Sequence, residues 1–285
     1  MGTQDCLTRG SRISTIGSMT EPPLIDIRDA TIWRGATRVF DSLSLSIAQH
    51  ERVAILGPNG SGKTTLLKTI NRELYPVASE GSWIRILGRE NWNVWDLRQR
   101  IGVVSHDLQN RYTPTTTALE VVVSGFFSSI GVHGTLASQV SKEQLARATA
   151  TLRVLGIESL HDIALNRMST GQQRRCLLGR ALVHEPQTLI LDEPTVGLDF
   201  AASFDYLGRI RELSNSGHNI VLVTHHLNEI PPEVDRVIVL KQGQVVADGP
   251  KSAVLNSALL SPVYETDIRV TEIDGYFLAY PGQAL

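Results

Sequence analysis

The 285-residue chain is 42 % apolar and 20 % charged, a composition that calls for a packed core and excludes a disordered polymer. Its net charge of −2 argues against non-specific nucleic-acid binding, and no direct nucleic-acid partner is expected. The two cysteines, Cys6 and Cys176, are too far apart for a disulfide framework or a metal-ligand pair, which fits a reducing cytoplasm.

Residues 1–18 are rich in Ser, Thr and Gly and lack an apolar run of signal length, and Met19 precedes the first regular segment. They read either as a disordered extension, drawn at 1–20, or as a start-site artefact. No window approaches about 18 uninterrupted apolar residues, so no bilayer-spanning helix is expected. Residues 24–32 alternate imperfectly, and residues 42–47 alternate strictly, with Leu43, Leu45 and Ile47 on one face. Both predict half-buried antiparallel strands. Residues 52–56 form a continuous apolar run instead, as a buried parallel strand does. Similar runs recur at 101–104, 189–191, 220–223 and 237–240, with helical patterns between them, the signature of a βαβ sheet.

About sixty residues after Ser105 have little strand character, and a helical subdomain at about 106–168 is expected there. Ser141 and Gln144 read as a capping box, with Leu145, Ala148, Leu152 and Leu155 at helical spacing and Gly156 as the stop. The main domain is drawn at 21–250. In the 251–285 tail, Asp274 and Gly275 between two apolar segments predict a hairpin.

Residues 57–65 carry the first chemical signal. Gly57, Pro58, Asn59, Gly60, Ser61, Gly62, Lys63 and Thr64, followed by Thr65, match the P-loop pattern G-x-x-x-x-G-K-[ST] between a buried strand and a helix. The glycines let backbone N–H groups curl around phosphate, and the helix adds its positive end. Lys63 supplies a charge for the β- and γ-phosphates of ATP, and the Thr64 hydroxyl a ligand for Mg²⁺. A second apolar strand ends in Asp192 and Glu193. One carboxylate suits the metal shell (Asp192) and the other the attacking water (Glu193).

About twenty residues before Asp192 stand Met168, Ser169, Thr170, Gly171 and Gln172. This run resembles the Leu-Ser-Gly-Gly-Gln signature of ATP-binding cassette (ABC) ATPases, with Met168 for the Leu and Thr170 for the first Gly. The resemblance extends from about residue 24 to 249. Gly197, Leu198 and Asp199 look like the family's D-loop, His225 after Thr224 like its switch histidine, and Trp33 like the aromatic that stacks on adenine. It implies an α/β fold: a P-loop NTPase (RecA-like) core sheet, an N-terminal antiparallel β subdomain and an inserted α-helical subdomain. It also implies a head-to-tail dimer of two copies with ATP between them, Ser169 and Gly171 of one facing the P-loop of the other. The family's glutamine at the entry to the helical subdomain is replaced here; His106 aligns with it, and His106, Gln109 or neither residue takes the sensor role.

A single cassette without a span is similar to the ATPase subunit of transporters, attached at the cytoplasmic face to a polytopic permease. The tail around Leu259, Leu260, Gly275 and Tyr276 resembles that of iron-chelate and related metal or oxyanion importers. The alternative is an ABC ATPase acting on a cytosolic machine such as the ribosome, though such proteins usually carry two cassettes. A small-molecule kinase is excluded by the signature run. His226 reads as a packing or surface residue, and Trp83, Trp92 and Trp95 as core or rim. Arg174 and Arg175 read as salt-bridge partners on a solvated helix face.

Overall fold

The computed structural model describes residues 21–132 and 134–282; the extension drawn at 1–20 lies outside the described residues. β1 (Ile25–Arg34) and β2 (Thr37–Ile47) pair antiparallel, with Ile25 opposite Ile47 and Ile27 opposite Leu45. In that register Ile25, Ile27, Leu43, Leu45 and Ile47 all fall on one buried face. A one-residue slip would turn them to solvent at about 1.5–3 kcal/mol each, which fixes the pairing. β3 (Val53–Leu56) and α1 (Lys63–Ile70) follow, then β4 (Trp83–Ile86), which adds to β1 and completes a three-stranded sheet.

α2 (Val94–Arg100) leads into β5 (Ile101–Val104), after which the helical insert begins. It comprises α3 (His106–Gln109), α4 (Ala118–Ser124), α5 (Thr135–Gln139) and α6 (Lys142–Val154), and α7 (Thr170–Leu182) returns from it to the sheet. Ser141 and Gln144 form the expected capping box of α6. Ala148, Leu152 and Leu155 are buried, but Leu145 is 40 % exposed, so the apolar face meets the core one turn later than its spacing implies.

Next come β6 (Thr188–Asp192), α8 (Phe200–Asn215), β7 (Asn219–Thr224), β8 (Arg236–Lys241) and β9 (Gln244–Pro250). The large sheet has the order β5-β6-β7-β3-β8-β9, parallel throughout except for the antiparallel β8–β9 pair. Both of its faces are covered. Val53 and Ile55 enter the core shared with the three-stranded sheet, while Ala54 and Leu56 enter the core shared with the helices. That double burial is why its strands read as unbroken apolar runs.

The tail contributes α9 (Lys251–Val254), α10 (Ser257–Tyr264) and the hairpin of β10 (Ile268–Ile273) with β11 (Tyr276–Pro281). Asp274 at φ 50° and Gly275 at φ 79° form its two-residue turn, the double positive φ that such hairpins need. Leu260, Val263 and Phe277 of the tail are buried in the helix-side core.

The reading of Arg174 and Arg175 as solvated residues is corrected for the first of them. Arg175 makes a 3.7 Å ion pair with Asp205, but Arg174 is 0 % exposed and donates through Nη2 to the Val196 carbonyl at 3.2 Å. α7 packs against α4, α6 and α8 together, so the Arg174 side has no water to face. Burial lowers the pKa of its guanidinium, opposed by Tyr206, Asp192 and Glu229. His226 is exposed, as read, with its ring centroid 3.8 Å from that of His225.

Candidate functional site

The C-terminal ends of three adjacent strands, β6, β7 and β3, meet at one edge of the large sheet, where open α/β sheets bind ligands. From β3 the chain turns at Gly57. A Cβ there would lie 2.3 Å from the Leu240 carbonyl oxygen and 2.7 Å from Ser61 Oγ, so only glycine lets the loop lie this close to β8. Gly62 caps α1 at φ 110° and brings no side-chain cap, which leaves the first-turn N–H groups to an incoming anion. Lys63 is 7 % exposed. Its Nζ donates to the carbonyls of Gly57 (2.7 Å) and Pro58 (3.1 Å) and lies 3.7 Å from Glu193 Oε1.

Asp192 ends β6. Burial, then the Glu193 and Asp107 carboxylates, push it up to about 6 against the pull of Lys63 and Arg174. Glu193 follows at φ 49°, a conformation that costs a non-glycine residue about 1–3 kcal/mol, and its N–H donates to Val223 O at 2.8 Å. His225, directly after β7, brings Nδ1 to 2.5 Å from Glu193 Oε2. The two atoms are buried and face one another. Ser61 Oγ is buried without a hydrogen-bond partner.

Asn59, Gly60, Gly62, Lys63, Thr64, Thr65, Asp192, Glu193 and His225 line a single cleft, joined by Arg34, Thr37 and Asp107. Its chemistry fits a magnesium-bound nucleotide. A cation and helix N–H groups suited to phosphate stand beside hard oxygen ligands on Thr64 and Asp192, and the Glu193 carboxylate lines the same cleft. Burial lowers the Lys63 pKa, opposed by Glu193 and Asp192, and a phosphate would add a further anionic partner.

Other sequence-derived site residues lie elsewhere. Ser169 caps α7 and forms a capping box with Gln172; Ser169 Oγ accepts from Gln172 N at 3.3 Å, and Gln172 Oε1 accepts from Ser169 N at 2.9 Å. Met168 is buried against Cys176, with 3.7 Å between the sulfurs. Asp199 caps α8, accepting from Ala202 N at 2.8 Å, and a Cβ on Gly171 would lie 3.1 Å from Ala202 Cβ. None of these four site residues, Ser169, Gly171, Gln172 and Asp199, lines the cleft of its own chain. Trp33, 45 % exposed at the end of β1, lies outside the lining beside Arg34. The His106 side chain lies outside what the structure describes. Gln109 Nε2 donates to Gln173 Oε1 (2.7 Å), and Gln173 in turn donates to the Leu165 and Met168 carbonyls, so Gln109 is tied to α7 rather than to the cleft.

Arg34, Thr37 and Asp107 escaped the sequence reading, since single polar residues at strand ends and in a one-turn helix carry no pattern. Glu229 escaped as well. It is 1 % exposed and accepts from the hydroxyls of Thr195 and Thr224, linking the turns that follow β6 and β7. Its only trace in the sequence is an acid between apolar neighbours.

A phosphate-type loop between a parallel strand and a helix, with carboxylates ending a nearby strand, defines a P-loop nucleoside triphosphatase. Comparison with known proteins narrows the class. Residues 40–196 match the ABC transporter family. The chain is 33 % identical over 252 residues to the uncharacterized ABC transporter ATP-binding protein YlmA of Bacillus subtilis (strain 168), covering 87 % of this chain and 93 % of YlmA. It is 34 % identical over 228 residues to the cobalt import ATP-binding protein CbiO of Rhodobacter capsulatus, covering 78 % of this chain and 76 % of CbiO. The structure superposes on the cassette MJ0796, a dimer in a post-hydrolysis state bound to ADP and Pi, with a TM-score of 0.65 and 26 % identity, covering 79 % of this chain and 98 % of that one. The chain belongs to the ABC transporter family, as an ATP-binding subunit that hydrolyses ATP to power transport.

Proposed function

We propose that the cleft holds Mg-ATP and that two copies of the chain close around it, Ser169 and Gly171 of each completing the phosphate site of the other. The observation that carries this reading is the cluster of Lys63, Glu193 and His225 beside the loop, with Lys63 Nζ 3.7 Å from Glu193 Oε1 and His225 Nδ1 2.5 Å from Glu193 Oε2. Lys63 exchanges the Gly57 and Pro58 carbonyls for the β- and γ-phosphates, while the N–H groups of residues 59–65 bind phosphate oxygens. Thr64 and Asp192 would hold Mg²⁺, which when bound neutralises charge on the phosphoryl oxygens. Among the described residues no three His, Cys, Asp or Glu side chains form a metal site by themselves, as suits an ion whose other ligands are phosphate and water.

Glu193 takes a proton from the water that attacks the γ-phosphorus; the bond to the β-γ bridging oxygen breaks, and ADP and phosphate leave. His225 orients that carboxylate and the γ-phosphate. Trp33 stacks on adenine, and Gln172 and Asp199 lie at the junction between copies. His106 reports nucleotide status, with Gln109 or neither residue as the alternatives. Loss of the γ-phosphate opens the pair, and a polytopic permease at the cytoplasmic membrane face converts that motion into transport. A cavity lined by Arg98, Arg111 and Arg180 adjoins the cleft and shares Thr64, Asp107 and Asp192 with it, so a permease segment seated there would touch residues that also meet the nucleotide. No described helix is long and apolar enough to cross a membrane, which leaves the membrane path to that partner.

Isolation of the chain from membranes with its partners attached tests this reading. A co-purifying polytopic protein is the expected outcome; ribosomal proteins in its place would favour action on a cytosolic machine and overturn the proposal.

A further inference from the structure

His225 can meet Glu193 only if the turn after β7 is held in place, and one of its fixings comes from the far end of the chain. On one side, Thr224 Oγ1 accepts from His226 N at 2.9 Å and donates to the buried Glu229. On the other, the His225 carbonyl accepts a hydrogen bond from Tyr264 Oη at 3.3 Å. Tyr264 is the last residue of α10, in the tail that the nucleotide chemistry leaves without a role. Burial and the neighbouring Glu193 carboxylate raise the pKa of its phenol, which therefore stays protonated and able to donate.

α10 is itself firmly placed. Asn256 caps its start, accepting from Leu259 N at 3.0 Å, and Leu260 and Val263 are buried in the helix-side core. Ser261 Oγ bonds both the N–H (3.0 Å) and the carbonyl (3.2 Å) of Ile268. At its C-terminal end Lys241 donates to the Pro262 carbonyl at 2.7 Å and pairs with Glu265 at 2.8 Å. Lys241 ends β8, whose Leu240 carbonyl abuts Gly57, and just beyond it Gly243 N donates to Ser61 O at 3.0 Å. The strand end that backs the phosphate loop thus also holds the helix that carries Tyr264.

The geometry points to Tyr264 as a positioning residue for ATP hydrolysis: its phenol fixes the His225 carbonyl so that the imidazole stays turned toward Glu193 in the cleft. Leu260 and Val263 anchor α10 with the Tyr264 ring packed against the same core, and the Tyr264 hydroxyl reaches beyond that core to the switch turn. Phenylalanine in its place keeps the ring and removes only the hydrogen bond. The inference rests on the proposed part of His225 in hydrolysis, and the test separates the two.

Steady-state ATP hydrolysis would be measured on the full chain as Tyr264→Phe, His225→Ala and the double variant, with melting temperature and KM for ATP recorded for each. Tyr264→Phe is expected to lower kcat about three- to tenfold, the loss of one hydrogen bond, with KM and melting temperature unchanged. In the His225→Ala background the same change should have no further effect, because the group being positioned is gone. An unchanged kcat for Tyr264→Phe beside a crippled His225→Ala overturns the inference and spares the reading of His225. An equal loss in both backgrounds, or a loss confined to melting temperature or KM, overturns it as well. A fully active His225→Ala chain would remove the reading on which it stands.

Discussion

At the cleft, Lys63, Glu193 and His225 crowd together, Glu193 is held at φ 49°, and Ser61 Oγ is buried without a hydrogen-bond partner. At the start of α7, Ser169 and Gln172 satisfy one another's backbone N–H groups in a capping box. A buried polar atom without a partner costs about 1–3 kcal/mol, whereas a helix cap of this kind stabilises by about 0.5–2 kcal/mol. The first region therefore holds instability that a ligand can relieve. The second is at rest in the single chain, exposed, and gains a role only when another molecule brings phosphate to it.

The largest effect that sharpens this contrast is expected from Glu193→Gln, which removes the base while keeping the shape. Phosphate release should fall about 10²–10⁴-fold, with nucleotide binding retained. Asp192→Asn should change stability in the opposite sense to activity. The carboxyl is pushed up to about 6 in the fold, so it destabilises the nucleotide-free chain progressively between about pH 4 and pH 6, fully above that, and hardly at all below about pH 4. Thermal unfolding should show the variant more stable by about 1–3 kcal/mol at pH 7, equal to the parent at pH 4, and without magnesium-dependent hydrolysis. Trp33→Ala should weaken ATP binding by about 1–3 kcal/mol, as loss of a base-stacking platform does, with Trp33→Phe intermediate; titration calorimetry reads this directly. Ser169→Ala is the smallest change, costing about 1 kcal/mol of stability through the lost cap. It should slow hydrolysis yet leave ATP affinity of the single chain unaltered, since Ser169 does not line the cleft of its own chain.

How legible these two regions were differs for physical reasons. The parallel strands were plain because both faces of the sheet are covered, which forces runs such as Val53, Ala54, Ile55 and Leu56. β4 was missed, being only four residues long with alternate residues half-buried, and so was β9, an edge strand with no fully buried residue. The phosphate loop was legible because its constraints are local: glycine where Leu240 approaches, lysine at the helix start. Arg174 was misread because its burial depends on α4, α6 and α8 closing over α7, which no window around α7 contains. Tyr264 and Glu229 were missed for the same reason, since their partners lie in the turns after β6 and β7. α10 went unread because Pro262 interrupts the helical pattern.

The central claim is that the cleft is half of a site and that Ser169 and Gly171 of a second copy complete it. The most direct measurement is the solution mass of the Glu193→Gln chain with and without saturating Mg-ATP, by light scattering coupled to size exclusion. The account predicts one chain without nucleotide, two chains with it, and loss of the two-chain species when Ser169→Arg is added. A single-chain mass under saturating Mg-ATP would contradict it.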